Sequence, residues 1–488
     1  MFLGDKMKKL EELYPGVGKD VLIKGIKINS KEVEDGDLFV CTMGVTADRH
    51  DFIPDAKAHG AAALVVSKDI TDPDIPVIKV PDTNRELPYL CQKFYDYPDK
   101  TLKMIGVTGT DGKTSTTTII QTLIGSDECG YIGTNGRSCA KFKGDNPNTT
   151  PDAQFMYLYL DEFVRFGCHY AAIETSSEVF FRGRLQAMEF DVSAITNVTS
   201  EHLNIHGSFE NYLESKLMLF KQTKKDGHCI LNKDDPYFEQ AKAACNGQVL
   251  TYGMGEENDL QIVSYKIYPN HTDIQFKYKG EMISIDSPLM GDFNVYNLAC
   301  GLLCALALGF RLDAVLKKIP DLKVEGRLDL LNTDTPYYVM VDYAHTPNGI
   351  QKLLNFVHTL DIKRSIVVIG QAGERDPYKR PKVGNVVVEN ATHAIFTYED
   401  PRSEDPVAIC NDIIAELKDT HQNYEIVIDR REVIQKAIDM AQAGDMVLIL
   451  GKGNETYEKL KEGTIYFNDE EEAYHAVATR KLREESAK

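Results

Sequence analysis

Apolar positions in this chain fall in short runs broken by polar turns, and the runs alternate with stretches of helical spacing. Leu102, Met104, Ile105 and Val107 read as a buried strand, which breaks into Gly109-Thr110-Asp111-Gly112 and restarts as a helix at Lys113. Upstream, strand-like runs at Gly36–Cys41, Ala61–Ser67 and Pro76–Val80, with a helical segment at Asp55–His59, predict a small α/β unit. Downstream, the run Tyr170–Ile173 ends on Glu174, and Phe190–Ile195 ends in a polar stretch. Phe209–Phe220 has amphipathic helical spacing, and Leu298, Leu302, Leu303 and Leu306 mark an apolar helix that opens at Gly291. Past Gly326 and Arg327 a new series begins, with strand-like runs at Tyr337–Tyr343, Ser365–Gly370, Ala394–Tyr398, Glu425–Ile428 and Met446–Leu450. Strands alternating with helical patterns predict parallel sheets covered by helices. The tail after Glu470 is charged and helical.

Length adds a domain count. At ~150 residues per domain, 488 residues give three, with boundaries expected at 1–100, 101–327 and 328–488. A hydrophobic content of 43% supplies each with a core, and the net charge of −19 argues against nucleic-acid binding, which needs a basic surface. Ten cysteines without a C-x-x-C pair fit a reducing cytosol better than a disulfide or zinc framework, with Cys300 and Cys304 as core. No apolar run reaches the ~18 residues of a membrane span. The expectation is a cytoplasmic monomer.

The chemistry concentrates at turns that follow strands. A glycine-rich turn between a strand and a helix aims backbone N–H groups and the helix dipole at one point. Lys113 adds a charge for the outer phosphates of a nucleotide, and the Thr114 hydroxyl can hold Mg²⁺. The match to G-x-x-x-x-G-K-(S/T) is incomplete, because its first glycine would fall at Val107. A turn without a ligand is the plainer alternative. Glu174, at a strand's carboxyl end, is a metal-ligand candidate, since ligands gather at such ends. His202 and His206 in EHLNIHG could suit zinc, but one imidazole among oxygens suits Mg²⁺ beside a nucleotide better. Tyr212 and Lys216 share a helix face, where a lysine is ordinarily solvated. Asn294 and Asn297 read as a helix cap or as amides facing a base, and Ser30 as turn punctuation. Asp342 and His345, then Arg375, Asp376, Lys379 and Arg380, then Glu399, Asp400 and Arg402, then Lys452 and Glu455 follow successive strands and predict one binding face.

GTDGKT at Gly109–Thr114, ETSS at Glu174–Ser177, EHLNIHG at Glu201–Gly207, YLESK at Tyr212–Lys216, GDFNVYN at Gly291–Asn297 and DYAHTP at Asp342–Pro347 together resemble the Mur ligase family of ATP-dependent peptide-wall synthetases, in the family's order. Within it, the resemblance is to members that add the third residue of the stem peptide. It implies an N-terminal UDP-substrate-binding domain, a central P-loop ATPase-like domain and a C-terminal Rossmann-like, amino-acid-binding domain. It implies ATP and Mg²⁺, with Thr108, Gly109, Thr110, Asp111, Gly112, Lys113, Thr114, Asn294, Arg327, Asp342 and His345 at the nucleotide. Thr114, Glu174, His202 and a carbamylated Lys216 would hold the metal. Ser30, Val45, Thr46 and Ala47 would meet the uridine end, and Asn148, Thr149, Thr150, Ser176 and Arg184 the sugar-peptide, of a UDP-sugar dipeptide. The incoming diamino acid would meet Arg375, Glu399, Asp400, Pro401, Arg402, Gly451 and Glu455.

Arg402 with Arg375 suits the extra carboxylate of meso-diaminopimelate, and Glu455 its extra ammonium, whereas Glu399 and Asp400 in place of D-N add charge that suits L-lysine. Diaminopimelate is favoured, and the L-lysine version or a divergent paralogue is the alternative. Asp111, Glu178, Arg182 and Gln371-Ala372 depart from the family pattern. A folylpolyglutamate synthetase-like ligase and a non-catalytic nucleotide-binding protein are the rivals of other classes.

Overall fold

A computed structural model describes residues 6–17, 20–44, 47–72, 74–146, 148–199, 206–418 and 420–486. The chain forms two compact units, Met1–Val263 with Phe276–Ile283 and Tyr296–Lys318, and Ser264–Gln275 with Ser284–Val295 and Ile319–Lys488. Among the described residues no helix is long and apolar enough to cross a membrane.

In the first unit, β1 (Gly25–Lys27), β2 (Asp37–Val40), β3 (Ala63–Val66) and β4 (Val77–Lys79) form a parallel four-stranded sheet in sequence order. A larger sheet is built on β5 (Lys103–Thr108), which leads through Gly109–Gly112 into α1 (Lys113–Ile124). Its other strands include β6 (Cys129–Gly133), β7 (Gly136–Cys139), β8 (Phe142–Gly144), β9 (Tyr170–Glu174), β10 (Phe190–Ile195), β11 (Thr223–Asn232) and β12 (Gln248–Gly253). These eight of the sheet's eleven strands lie in the order β8-β7-β6-β9-β5-β10-β11-β12, and among their pairings only those of β7 with β8 and β6 are antiparallel. Burial on both faces explains why β5, β9 and β10 read as near-continuous apolar runs. Glu174 pairs with Val107 and Ile195 with Thr108, so β9 and β10 end level with β5 on either side.

Gly106, inside β5, has a specific packing reason. A Cβ there would lie 2.6 Å from Leu219 and 2.9 Å from Phe190. Leu219 belongs to α2 (Phe209–Lys221), so the missing side chain lets α2 settle directly on the strand that ends in the glycine turn. Run-by-run reading does not give β6, whose sequence CGYIG carries two glycines. A Cβ on Gly130 would meet the Phe163 ring at 2.3 Å, so the strand is chosen by a helix packed on it rather than by its own propensity.

The second unit holds β13 (Asp329–Leu330), β14 (Tyr338–Asp342), β15 (Ser365–Ile369), β16 (His393–Phe396), β17 (Tyr424–Ile426) and β18 (Met446–Leu450). They lie in the order β13-β14-β18-β15-β16-β17, parallel except for β13. Asp342, Leu450, Ile369 and Phe396 stand in register, so four strands end at one edge. The five predicted strands are present, each within about two residues of its expected bounds, the usual uncertainty of strand and helix ends. The charged tail is the helix Asp469–Ser486. Arg430 anchors it: the guanidinium bonds Asp469 at 2.8 and 2.7 Å and the Leu450 carbonyl at 2.9 Å, and both side chains are fully buried.

Candidate active site

The glycine turn after β5 is held in place from several sides. Gly109 (φ +149°) and Gly112 (φ +82°) occupy conformations that side chains disfavour. A Cβ on Gly109 would stand 1.9 Å from Thr196 Oγ1, and one on Gly112 2.4 Å from Asn297 Oδ1. Asp111 N–H donates to Asn197 Oδ1 at 3.0 Å, and Thr196 Oγ1 and Asn197 Nδ2 donate to the Asp111 carbonyl at 2.5 and 3.1 Å. Thr110 Oγ1 lies 3.0 Å from the buried Tyr212 hydroxyl. These contacts fix the loop's backbone while α1 begins at its end.

Two ammonium groups converge on that loop. Lys113 Nζ donates to the carbonyls of Gly109 and Thr110 at 2.9 and 2.8 Å, and Lys216 Nζ donates to the same Gly109 carbonyl at 2.6 Å. Lys216 is 2% exposed and lies 4.6 Å above the Tyr212 ring, so the expectation of a solvated lysine is wrong. Gly106 supplies the reason, because α2 sits close enough to β5 to turn its Lys216 face inward. Two ammonium groups thus sit at one loop carbonyl.

Glu174, fully buried at the end of β9, faces the start of α1. Its carboxylate accepts from Thr114 Oγ1 (3.0 Å), Tyr131 Oη (2.6 Å), Thr134 N (2.9 Å) and Thr134 Oγ1 (3.1 Å). Such donors fix its orientation. Thr150 Oγ1 donates to the Glu174 carbonyl at 2.8 Å and accepts from Ser176 N at 3.0 Å, and Thr149 Oγ1 lies 3.0 Å from Thr134 Oγ1. Asn148 is exposed, and Arg184 pairs with Asp152 at 2.8 Å. His206 is buried, with Nε2 3.0 Å from Ser177 Oγ and its ring edge-on to Phe181 and Tyr212. Ser30 is buried in a 3₁₀ turn, and the Ala47 carbonyl accepts from Gly44 N at 2.9 Å. Val45, Thr46 and His202 lie outside the described residues.

In the second unit, the loops that follow β14, β15, β16 and β18 meet at the shared strand edge, as the spacing predicts. Gly373 N–H donates to the Asp400 carbonyl and Gly451 N–H to that of Asp342, at 2.8 and 3.1 Å. Asp342 accepts from Leu328 N and Ala344 N, both at 2.7 Å, and burial raises its pKa against the pull of Arg327. The Arg327 guanidinium lies 5.0 Å over the Tyr343 ring, and His345 stands edge-on to the same ring. His345 Nδ1 donates to the Tyr343 carbonyl at 2.9 Å, which leaves Nε2 as an acceptor, and burial lowers its pKa. Asn294 Nδ2 donates to the Met290 carbonyl at 2.7 Å. Arg402 takes a left-handed conformation (φ +54°), and Nη1 donates to the Gly373 carbonyl at 2.8 Å. Arg375 is exposed and Pro401 buried.

Residues 22–105 match the Mur ligase family catalytic domain, 107–305 the Mur ligase middle domain, and 326–453 the Mur ligase glutamate ligase domain. A relative from Clostridium perfringens, UDP-N-acetylmuramoyl-L-alanyl-D-glutamate--2,6-diaminopimelate ligase, is 34% identical over 483 residues, covering 95% of this chain and 98% of its own. The chain belongs to the Mur ligase family. A solved structure of a UDP-N-acetylmuramoyl-L-alanyl-D-glutamate--2,6-diaminopimelate ligase is similar with a TM-score of 0.70 and 27% identity, over 97% of this chain and 99% of that one. The fold is also shared with the MurF ligase from Thermotoga maritima in complex with ADP, at 18% identity and a TM-score of 0.63, over 93% of this chain and 98% of that one.

For a Mur ligase, two departures noticed in the sequence explain each other. Glu178 and Arg182 form an i,i+4 ion pair at 2.6 Å, so each compensates the other's charge. Glu455 is not the uncommitted acid that sequence reading made it: Lys452 Nζ lies 3.2 Å from Glu455 Oε2 and 2.9 Å from Asp400 Oδ1. Asn297, Thr196, Asn197, Tyr131 and Thr134 were missed as residues of the loop and its carboxylate. Asn297 stood inside a quoted motif, but the need for it arises only from Gly112, 185 positions away in the sequence.

Proposed function

We propose that this Mur ligase is an ATP-dependent amide ligase that joins meso-diaminopimelate to the D-glutamyl carboxylate of UDP-N-acetylmuramoyl-L-alanyl-D-glutamate. The observation that carries the reading is the convergence of Lys113 and Lys216 on Gly109, beside a carboxylate held by Thr114, in a chain 34% identical to a ligase of that name along 95% of its length. ATP transfers its γ-phosphoryl group to a carboxylate oxygen, and ADP departs. The α-amine of the amino acid attacks the acyl carbon, loses a proton, and phosphate leaves with the C–O bond. Chemistry of this kind asks the protein chiefly for position and for neutralised charge.

Each site residue takes a part in that reading. Thr108 to Thr114 cradle the phosphates, with Lys113 turning from the loop carbonyls to the phosphate oxygens. Asn294, Arg327, Asp342 and His345 meet the remainder of the nucleotide. Ser30 and Val45–Ala47 take the uridine end, and Asn148–Thr150, Ser176 and Arg184 take the sugar-peptide. The division at residues 100 and 327 belongs to the same proposal, supported by the three matched segments 22–105, 107–305 and 326–453.

A hard divalent cation fits the donors present. Thr114 Oγ1 and the Glu174 carboxylate are oxygen ligands within hydrogen-bond distance of each other, which suits Mg²⁺ rather than a thiolate-seeking metal. His202 would join them, and a carbamate on Lys216 would turn a buried cation into a second anionic ligand beside Glu174. When bound, Mg²⁺ neutralises charge on the transferring phosphoryl group.

Mass spectrometry of a reaction with ATP, the UDP-sugar dipeptide and either diaminopimelate or L-lysine tests the reading. The expected result is the amide of diaminopimelate, with ADP and phosphate in equal amounts. A product from lysine alone would move the assignment to the lysine-adding version, and nucleotide hydrolysis without an amide would remove it.

A further inference from the structure

Two thiols meet in the core on which α2 rests. Cys229, on β11, is fully buried beside Phe220, and Cys245 follows the helix Phe238–Ala244 and packs on the same cluster. The two side chains are hydrogen-bonded to each other. Among the described residues Cys245 is the one cysteine that is not buried. Cys139 and Cys168 also touch, and Cys300 and Cys304 share a helix, but all four are closed to solvent.

The surroundings of Cys229 suit a thiolate. Its Sγ lies 3.6 Å from Thr223 Oγ1, and the backbone N–H groups of Gly247 and Asn246 face it. With the Cys245 thiol, these donors hold Cys229 below the ordinary thiol value against the opposing effect of burial, while Cys245 is held above it. The contact is also joined to α2. Asn246 shares its N–H with the Phe220 carbonyl at 3.2 Å, and its Nδ2 donates to the Thr223 carbonyl at 2.8 Å. Phe220 stands one turn past Lys216 on α2.

We propose that Cys229 and Cys245 form a peroxide-sensitive pair, which closes to a disulfide in the folded protein and thereby lowers ATP-dependent turnover. The Cys245 sulfur, reached from solvent, attacks one oxygen of hydrogen peroxide and passes its proton to the Cys229 thiolate across their shared hydrogen bond. The O–O bond breaks, and hydroxide leaves and takes a proton from solvent, which makes one water and a sulfenic acid on Cys245. The Cys229 sulfur then attacks that of Cys245, the S–O bond breaks, and the departing hydroxide carries off the Cys229 proton as a second water. Two thiols are oxidised and one peroxide is reduced. A covalent bond of about 2 Å replaces the sulfur–sulfur hydrogen bond and draws in Asn246, and a close-packed core passes that shift to Phe220 and α2. The loss of turnover rests on the amide-ligase reading above, whereas the bond does not.

The test treats the full-length protein with hydrogen peroxide, alkylates the remaining thiols, and reads the digest by mass spectrometry beside ADP release with both substrates present. The expected result is a peptide joining Cys229 to Cys245, with ADP release lower by about 5-fold or more, the lower end of coupling between separate sites. Dithiothreitol should open the bond and restore turnover. Cys245→Ser should begin at wild-type turnover and keep it under the same treatment. A joined peptide from another pair, or none, overturns the proposal. So does a Cys229–Cys245 bond that leaves ADP release unchanged, or an equal loss in C245S. A reduced wild type that releases no ADP removes the ligase reading and the switch together, and one that turns over yet forms no bond removes the switch alone.

Discussion

Lys216 is the residue on which the central site turns. A lysine at 2% exposure loses most of its hydration, and its ammonium is satisfied here by the Gly109 carbonyl and the Tyr212 ring. Replacement by alanine should lower kcat by about 100-fold or more, the order seen for lost charge stabilisation at a reacting centre. Formate, supplying a small carboxylate where the carbamate would stand, should restore part of it. Full turnover in K216A would remove the carbamate role.

Glu458 makes a separate residue-scale statement about pH. Burial raises its carboxyl to about 7, above the ordinary glutamate value, and the buried Oε1 lacks a hydrogen bond among the described residues. With the folded value raised, the contribution to stability is fully present below about pH 4.5 and is lost as pH rises through about 7. Glu458→Gln should therefore melt higher than the wild type at about pH 8, by an amount on the order of 3 kcal/mol at most, and match it near pH 4. Thermal denaturation at both pH values checks the sign.

At the scale of elements, the approach of α2 to β5 and the anchoring of the C-terminal helix are the two contacts that others depend on. Gly106→Val would drive a branched side chain into Leu219 and Phe190, and overpacking of that kind costs about 1–3 kcal/mol. Because α2 carries Lys216, the same change should depress ATP-dependent activity at temperatures where the variant remains folded. Circular dichroism paired with ADP release would distinguish the two effects. Asp469→Asn, which leaves the Arg430 guanidinium buried without its counter-charge, should cost about 3–5 kcal/mol in chemical denaturation.

For the molecule as a whole, the order of chemical events is the sharpest test. If ATP activates the carboxylate before the amine acts, hydroxylamine should trap an acyl phosphate as a hydroxamate when ATP and the UDP-sugar dipeptide are present and the amino acid is absent. Lys113→Ala should reduce that trapping by about 100-fold or more, since the lysine acts before the amine arrives. Hydroxamate formation that needs the amino acid would contradict a stepwise course.

What the sequence determined by itself is local. The strand-turn-helix around Gly109 and the parallel sheet from Tyr338 to Leu450 were legible because hydrophobic period and turn chemistry are properties of neighbouring residues. So was the set of loops after successive strands, since parallel strands in register must end at one edge. Tertiary structure alone decided which charges are committed. The inward turn of Lys216 depends on Gly106, the seating of Gly112 on Asn297, and the neutralisation of Asp400 and Glu455 on Lys452. Each joins groups that meet only in the folded chain, where burial makes an ammonium's partner a matter of ångströms rather than of spacing along the sequence.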